Sequence, residues 1–295
     1  MRAEAGSAEH GWTIGVIGGS GLYALDGLED AQEIAVSSPF GAPSGPVTIG
    51  RIGAVRYVFL ARHGAGHRLA PEAINARANI DVLKRCGVTD VIAVSAIGSL
   101  REDYAPGSFV AVDQFIDRTH GRPQSFFGEG LVAHVSLADP VCPRLSGHLA
   151  DAAERAGAVV HRGGCYLAMQ GPQFSTRAES RLYRQWGADV IGMTAMPEAR
   201  LAREAELPYA LIGMVTDYDS WRAGEHVEVE QVLAVMRANA AAARAAIANL
   251  AQGLPPVRSA SPIDHALDGA IMTAPGQRDE KLAAMLGAVA GRALR

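Results

Sequence analysis

Several predicted strands end in side chains and backbone amides that can bind an anion. Arg62 and His63 follow one strand, Ser95 and Ala96 follow a second, and Thr194 follows a third. The Arg guanidinium is a planar fork that matches phosphate oxygens, and hydroxyl and amide groups donate hydrogen bonds to the same atoms. Each of these groups alone is also typical of an ordinary surface loop. Because open α/β sheets bind ligands at the carboxyl ends of their strands, the repetition favours one shared anion site.

A glycine-rich turn, Gly18-Gly19-Ser20-Gly21, follows the first apolar run of the chain. Backbone N–H groups in such a turn can point at an anion, with the hydroxyl of Ser20 beside them. Two alternatives stay open: a tight turn without a ligand, and the loose dinucleotide fingerprint that Gly19-x-Gly21-x-x-Ala24 matches. The fingerprint opens a helix, and residues 22–32 make a poor one because they contain a glycine and several acids.

Two carboxylates, Asp217 and Asp219, lie at the end of another predicted strand. Two residues apart, they can meet a ligand that carries hydrogen-bond donors along one edge. The alternative is local, since an Asp at a strand end can also close an Asx turn or cap the next helix. The pair is therefore a candidate either for ligand binding or for capping.

His63 and His67 have the HxxxH spacing that binds a metal ion when both imidazoles lie on one face of a helix. Gly64 and Gly66 lie between them, and no Cys or carboxylate is close in sequence. We therefore predict no metal ion at this motif or elsewhere in the chain.

The charge and cysteine content argue against several other classes of protein. The formal net charge is −4 and no basic block is present, so we expect no binding to nucleic acid or to a membrane surface. The three cysteines, Cys86, Cys142 and Cys165, are widely spaced and match no disulfide or metal framework. Residues 1–12 are polar, unlike a signal peptide, and no run of about 18 apolar residues could span a membrane. We therefore expect a cytoplasmic protein.

Apolar runs rich in Val and Ile alternate with amphipathic stretches, which predicts an α/β fold with a parallel or mixed sheet. Strands are predicted at Thr13–Ile17, Val55–Ala61, Asp90–Ser95, Phe109–Val112, Asp189–Met193 and Tyr209–Val215. Helices are predicted at Pro71–Cys86, Leu145–Ala156, Arg177–Trp186, Pro197–Glu206 and Glu230–Ala251. Several strands are apolar at nearly every position, so we expect both faces of the sheet to be covered.

The chain divides into three segments. Residues 1–12 are expected to be flexible, and residues 13–253 form the main domain because no linker or repeat interrupts them. Gly253–Pro262 is rich in Pro and Ser and is typical of a connector. Residues 254–295 form a C-terminal extension in which Glu280–Leu294 is predicted as one terminal helix, packed on the main domain or on a neighbouring subunit.

Eight segments resemble the methylthioadenosine phosphorylases, a branch of the trimeric purine nucleoside phosphorylases. In unbroken order they are Val16-Ile-Gly-Gly-Ser-Gly-Leu22, Leu60-Ala-Arg-His-Gly64, Gly98-Ser-Leu-Arg-Glu102, Asp113-Gln-Phe-Ile-Asp-Arg118, Arg122-Pro-Gln-Ser-Phe126, Gln170-Gly-Pro-Gln-Phe-Ser-Thr-Arg-Ala-Glu179, Met193-Thr-Ala-Met-Pro-Glu198 and Thr216-Asp-Tyr-Asp-Ser-Trp221. The resemblance implies a single α/β catalytic domain over residues 13–253, with a mixed, partly closed β-sheet flanked by helices. It also implies a homotrimer with active sites near the subunit interfaces.

The resemblance implies a role for each candidate residue. Phosphate would be bound by Ser20, Arg62, His63, Ser95, the backbone of Ala96, and Thr194. The nucleoside would be contacted by Met193 at the ribose, Phe174 at the base, and His134 at the 5′ end of a ligand in the neighbouring subunit. Asp217 and Asp219 would face the purine N7 and its 6-amino group, with Asp217 acting as the acid directly or through water.

The segment Val227-Glu-Val-Glu-Gln-Val-Leu233 also resembles the methylthio branch. By this match Val229, Val232 and Leu233 would contact the thioether of the substrate. Burying a 5′-hydroxyl there without a partner costs about 1–3 kcal/mol, so such a pocket disfavours ordinary nucleosides. The alternative is that these residues are simply the core face of a helix.

Together these residues imply phosphorolysis of 5′-methylthioadenosine to adenine and 5-methylthioribose 1-phosphate, a pentosyl transfer in methionine and purine salvage. Inorganic phosphate is the co-substrate, and no metal or organic cofactor is expected. One alternative is a methylthioinosine or general purine nucleoside phosphorylase, against which the Asp217 and Asp219 pair argues. The others are a dinucleotide-binding oxidoreductase and a nucleoside-binding protein without catalytic activity.

Overall fold

Eleven strands form one sheet in this structure, a computed structural model that describes residues 11–19, 22, 25, 27–222 and 229–295. They are β1 (Thr13–Gly18), β2 (Glu29–Ile34), β3 (Val47–Ile52), β4 (Val55–Ala61), β5 (Asp90–Ser99), β6 (Phe109–Val112), β7 (Gln114–Asp117), β8 (Val160–Arg162), β9 (Cys165–Ala168), β10 (Val190–Gly192) and β11 (Tyr209–Asp217). The helices are α1 (Ala76–Arg85), α2 (Pro143–Arg155), α3 (Arg177–Gln185), α4 (Ala195–Glu204), α5 (Val229–Gly253), α6 (Glu280–Met285) and α7 (Gly291–Leu294), with short 3₁₀ turns at Pro71–Ala73, Pro262–His265 and Pro275–Gln277.

The sheet branches at its longest central strand, β5. Strands β1 and β11 both run parallel to β5, and β4 runs parallel to β1, whereas β10 is antiparallel to the end of β5. The carboxyl ends of β1, β4, β5 and β11 therefore lie along one edge of the sheet. This is the edge at which open α/β sheets bind ligands.

Two apolar cores cover the two faces of this sheet. One includes Leu83 of α1 and Leu201 of α4, and the other includes Leu149 of α2 and Ile247 of α5. The strands between the cores are apolar on both faces, which is why they read as continuous runs of Val and Ile. The predicted class, an α/β fold with a mixed sheet flanked by helices, is confirmed.

Five strands were not predicted: β2, β3, β7, β8 and β9. Every residue of β2 is exposed, and its sequence, Glu29–Ile34, carries no apolar alternation to mark a strand. Strands β7, β8 and β9 are three or four residues long, too short to show a period. Each is added to the sheet by pairing with a neighbouring strand, a relationship that local sequence does not encode.

The segment 254–295 packs against the main domain. Leu267, Leu286 and Val289 join the core on the α1 and α4 side of the sheet. The terminal helix predicted over Glu280–Leu294 is instead two short helices. Helix α6 ends at Met285, Leu286 is its C-cap, and the chain turns at Gly287, whose N–H donates to the Ala284 carbonyl. No helix among the described residues is long and apolar enough to cross a membrane.

Candidate active site

The hydroxyls of Ser95 and Thr194 meet at the carboxyl edge of the sheet. Their oxygens are 3.3 Å apart, although the two residues are 99 positions apart in sequence. Ser95 lies within β5, next to Ala96, and Thr194 immediately precedes α4. Two of the predicted phosphate ligands are thus brought together by strands that run side by side.

Arg62 follows β4 and is buried, with its guanidinium bonded on three sides. Nε and Nη2 donate to the two carboxylate oxygens of Glu198 at 2.9 and 3.1 Å. The carbonyls of Val94 and Ile17 accept from Nη1 and Nη2 at 3.0 and 3.1 Å. Of the guanidinium donors, only the second N–H of Nη1 lies outside these bonds, so Arg62 has one N–H to offer an anion.

Glu198 was not singled out as a site residue, although it belongs to a motif of the family. It lies in the first turn of α4, is buried, and also accepts a hydrogen bond from the Tyr209 hydroxyl at 2.9 Å. Burial alone would lower the pKa of Arg62, but the charge of Glu198 beside it raises that pKa instead. The sequence of α4 also contains Arg200, Arg203 and Glu204, so no local pattern marks Glu198 as the buried partner of Arg62.

His63 lies next to Arg62 with its ring stacked on His67, the two centroids 4.0 Å apart. The Leu69 carbonyl lies 2.8 Å from Nδ1 and accepts a hydrogen bond, so Nδ1 carries the proton. Burial lowers the pKa of His63 from 6.5 to about 4. At neutral pH the imidazole is therefore uncharged, and its Nε2 atom is an acceptor.

Arg122 connects two loops of the site. It begins the segment Arg122–Phe126 that resembles the family, but the sequence predicted no role for it. Nη1 donates to the carbonyls of Met193 and Met196 at 2.7 and 2.9 Å, and Nη2 donates to the carbonyl of Gln170 at 2.6 Å. A small cavity of about 10 Å³ lies between Arg122, Thr194 and Glu198. Arg122 thus fixes the backbone on both sides of Thr194 from behind the predicted anion site.

Met193 packs against the loop that carries Phe174. A Cβ atom added at Gly171 would lie 2.5 Å from the sulfur of Met193, and Gly171 has φ +68°, so this position requires glycine. Phe174, three residues further on, is 41% exposed and is available to a ligand. Both predicted nucleoside contacts therefore belong to one corner of the site.

Asp217 and Asp219 form a linked pair at the end of β11. One Asp217 oxygen, Oδ2, accepts from the Thr216 hydroxyl at 2.7 Å, and Oδ1 accepts from the Asp219 N–H at 2.8 Å. Burial raises the pKa of Asp217 and that of Asp219. Asp217 therefore retains a proton to a higher pH than an ordinary carboxyl group does.

The Oδ2 atom of Asp219 is buried and has no hydrogen-bond partner among the described residues. The nearby Ser180 hydroxyl lowers the pKa of Asp219 somewhat, but no hydrogen bond of normal geometry joins the two groups. Asp219 also has φ +50°, which is uncommon for a residue with a side chain. An unpaired buried oxygen is costly in the free protein, which makes Asp219 a candidate for pairing with a donor of a ligand.

Two glycines leave space for side chains of the site: Gly98 for Asp217 and Asp219, and Gly192 for Tyr166. A Cβ atom at Gly98 would lie 3.0 Å from Asp217 Oδ1, and one at Gly192 would lie 2.1 Å from the Tyr166 hydroxyl. The space beside Gly192 is thus occupied by Tyr166, whose hydroxyl accepts from the Thr194 N–H at 3.4 Å.

The remaining predicted residues lie apart from this group. His134 is exposed, on a segment paired with the C-terminal extension. At the start of α5, Val229 and Leu233 are 59% and 39% exposed, and Val232 is half-buried. The core-face alternative is therefore wrong for Val229 and Leu233. Ser20 lies outside the described residues.

Comparisons with known proteins show the family to which the chain belongs. The Phosphorylase superfamily profile matches residues 13–252. S-methyl-5′-thioadenosine phosphorylase of Cereibacter sphaeroides is 57% identical over 96% of this chain and 98% of its own length. The protein of the same name from Bradyrhizobium diazoefficiens is 56% identical, again over 96% of this chain and 98% of its own.

Two solved structures resemble this fold over nearly the whole chain. A methylthioadenosine phosphorylase from an Antarctic soil metagenomic library superposes with a TM-score of 0.90, at 41% identity over 95% of this chain and 99% of its own. A variant of adenosine/methylthioadenosine phosphorylase from Schistosoma mansoni, solved in complex with methylthioadenosine, has a TM-score of 0.76 at 33% identity over 95% of this chain and 98% of its own.

Proposed function

The chain belongs to the phosphorylase superfamily, and on that premise we propose that it splits 5′-methylthioadenosine with inorganic phosphate. The products are adenine and 5-methylthioribose 1-phosphate, which makes the enzyme a pentosyltransferase of methionine and purine salvage. The chemistry follows from what each end of the site can bind.

The observation that carries this proposal is the spacing of two groups along β5. Ser95 lies opposite Gly213 of β11, and Gly98 lies opposite Asp217. Three residues of strand separate the level of Ser95 from the level of Asp217 by about 10 Å along β5. That separation leaves room for a sugar between a phosphate at one end and a purine at the other.

The phosphate is the nucleophile and must be fixed beneath C1′ of the sugar. Ser95, Thr194, the Ala96 backbone and the free N–H of Arg62 supply donors for its oxygens, and the family resemblance adds Ser20, which lies outside the described residues. Cleavage of the glycosidic bond passes through an oxocarbenium-like transition state, as in glycoside hydrolysis. A phosphate held in place stabilises that cation by charge and removes the entropy cost of bringing the reactants together.

The purine must leave as a neutral base, so its N7 atom has to gain a proton or a hydrogen bond. The raised pKa of Asp217 suits it to supply that proton, directly or through water. The unpaired Oδ2 of Asp219 is an acceptor that a 6-amino group satisfies and a 6-oxo group does not. This asymmetry favours adenine over hypoxanthine. The reaction requires no metal or organic cofactor, because phosphate is the nucleophile and a carboxyl group is the acid.

The binding site for the 5′ end of the substrate includes a residue of a second subunit. In the proposed trimer, the exposed side chains of Val229, Leu233 and a neighbour's His134 close around the methylthio group, with Val232 behind them. The exposure of His134 and of two of the three apolar side chains supports this arrangement. The wide spacing of the cysteines supports a cytoplasmic location.

Release of free base from four nucleosides tests the proposal. Methylthioadenosine, methylthioinosine, adenosine and inosine are each incubated with the enzyme, with and without phosphate. We expect phosphate-dependent release of adenine, fastest from methylthioadenosine. Faster release from the two inosine compounds would retain the reaction but overturn the role given to Asp219. Absence of phosphate-dependent release from all four would overturn the proposed function.

A further inference from the structure

Glu206 occupies an unusual backbone position just beyond the end of α4. It has φ +54° and is 5% exposed, at the helix-end position that glycine normally fills. A residue with a side chain is strained there, by an amount of the order of that of a lost hydrogen bond. The position of Glu206 therefore points to a use for its side chain.

The Glu206 carboxylate binds the C-terminal extension at two points. Oε1 accepts a hydrogen bond from the backbone N–H of Leu267 at 3.0 Å, and Oε2 accepts from Nε of Arg292 at 2.9 Å. Arg292 also donates to Asp268 at 2.5 Å, so one cation joins the carboxylate to the same turn of the extension. These contacts fix the turn from Leu267 to Ala270 on the end of α4.

The turn from Leu267 to Ala270 is hydrogen-bonded to the backbone of His134. The Ala270 N–H donates to the Leu267 carbonyl at 3.1 Å, and the Ala270 carbonyl accepts from the His134 N–H at 2.9 Å. Ala133 and Ile271 form an antiparallel bridge directly beside this bond. Only one turn of chain therefore separates the Glu206 carboxylate from the backbone of His134.

We propose that Glu206 is a positioning residue for His134 and thereby sets selectivity at the 5′ end of the substrate. The proposal rests on the proposed function, in which His134 reaches the neighbouring subunit's 5′ pocket. Glu206 lies apart from the candidate site, and it acts by fixing the turn whose Ala270 carbonyl accepts from the His134 N–H. Loss of this contact lets His134 move, which weakens discrimination between a 5′-methylthio and a 5′-hydroxyl group.

The surroundings of Glu206 allow the contact to be removed without unfolding the chain. A cavity of about 200 Å³ lies beside it, lined also by Lys84, Arg258 and Arg292, so water can reach groups left without a partner. Lys84 Nζ donates to the Ala205 carbonyl at 2.6 Å, which is a further contact at the end of α4. Replacement by glycine also relieves the positive φ.

The test compares Glu206→Gly with Glu206→Gln in the full-length enzyme. Glycine removes the acceptors for both the Leu267 N–H and Arg292, whereas glutamine keeps an oxygen for the Leu267 N–H and loses the charge and the second acceptor that face Arg292. Asp30→Gly is the matched control, since Asp30 also has a positive φ, +52°, and lies on the exposed strand β2. Two measurements are made on each variant: hydrogen exchange of the peptide spanning residues 130–135, and the ratio of kcat/KM for methylthioadenosine to that for adenosine.

In Glu206→Gly we expect amide exchange over residues 130–135 to rise and the kcat/KM ratio to fall, each by about five- to tenfold, the effect of one lost hydrogen bond. The KM for phosphate should stay unchanged, and Asp30→Gly should behave like the unmodified enzyme. Glu206→Gln should show smaller changes than Glu206→Gly, because it keeps the Leu267 contact and loses the one to Arg292. Unchanged exchange in Glu206→Gly would overturn the contact to His134, and raised exchange with an unchanged ratio would overturn its effect on selectivity. Failure of the unmodified enzyme to release adenine is a separate result, since it contradicts the proposed function while exchange still reports on Glu206.

Discussion

Both carboxylate oxygens of Glu198 accept hydrogen bonds from the guanidinium of Arg62, at 2.9 and 3.1 Å, and both side chains are buried. Arg62 therefore contributes to the proposed phosphate site as one half of a neutralised pair. Its remaining N–H can bind an anion, but its charge is balanced before phosphate arrives. Phosphate binding then depends on neutral donors such as Ser95 and Thr194 more than on a free cation.

Glu198→Gln is expected to make the protein more dependent on phosphate for its stability. The change leaves a buried guanidinium without its counter-charge, and breaking such a pair costs about 3–5 kcal/mol. Bound phosphate then replaces the missing charge, so saturating phosphate should raise the melting temperature more in the variant than in the unmodified protein. Thermal unfolding with and without phosphate measures this difference.

Tyr209→Phe is the control for that experiment, because it removes one hydrogen bond to Glu198 and leaves both charges in place. Its phosphate-dependent shift should equal that of the unmodified protein. An equal shift in Glu198→Gln as well would show that the Arg62 charge does not face the phosphate.

Stability should fall as the pH is lowered from about 6.5 to about 4, in part because of His63. The folded state keeps His63 neutral down to a pKa of about 4, whereas the unfolded chain takes up the proton near 6.5. In this window the unfolded state binds more protons, so acid favours unfolding and stability rises with pH. His63→Asn removes this contribution, and its melting temperature should depend less steeply on pH than that of the unmodified protein. Identical slopes for the two proteins would mean that His63 is not held neutral.

Asp217→Asn should reduce turnover of methylthioadenosine by about 10²–10⁴-fold, the usual contribution of a general acid. The amide cannot transfer a proton to N7, and Asp219, which faces the 6-amino group, is unchanged. In the unmodified enzyme the raised pKa of Asp217 places its active, protonated form below that pKa, so kcat should fall as the pH rises above it. Profiles of kcat against pH for both proteins measure the effect. A parallel fall in the variant would assign that ionisation to another group.

Gly98→Ala should impair the nucleoside end of the site and spare the phosphate end. The new Cβ would lie 3.0 Å from Asp217 Oδ1 and 3.4 Å from the Cβ of Asp219, so the carboxylate pair must shift. We expect kcat/KM for methylthioadenosine to fall by about tenfold or more, as small misplacements of reacting groups commonly cost. Steady-state kinetics with each substrate varied in turn separates the two ends.

Gly147→Ala is the matched control for Gly98→Ala. Gly147 lies in α2, where an added Cβ meets no atom within 4 Å, so the change should leave activity unaltered and favour the helix slightly. A similar KM rise for phosphate and nucleoside in Gly98→Ala would contradict the assignment of Asp217 and Asp219 to the base.

Local sequence predicted the elements that carry their own signal. Strands β4 and β6 begin and end where predicted, because each is a buried run of apolar residues. β2 could not be predicted, since all its residues are exposed and it is a strand only by pairing with β3. The prediction of one terminal helix was wrong for a related reason. Its apolar residues are spread over two short helices on either side of a turn that contains Gly287.

The sequence also predicted some residues of the candidate site and missed others. The structure brings the hydroxyls of Ser95 and Thr194 together as the repetition of polar strand ends predicted. The reason differs from the predicted one, because Ser95 lies within β5 and β10, which precedes Thr194, runs antiparallel to it. Glu198, Arg122 and Glu206 were missed because their partners are distant in sequence and are mostly backbone carbonyls, backbone N–H groups and buried charges. Contacts of this kind arise from the packing of α4 against the sheet, which no local motif records.

The balance of phosphate and adenine during turnover tests the central claim most directly. Purified enzyme is given methylthioadenosine and a limiting amount of inorganic phosphate, and both the phosphate consumed and the adenine released are measured over time. We predict that one phosphate disappears for each adenine formed and that release stops when phosphate is exhausted. Adenine release that continues without phosphate consumption would show hydrolysis, and would contradict an anion site built from Ser95, Thr194 and Arg62.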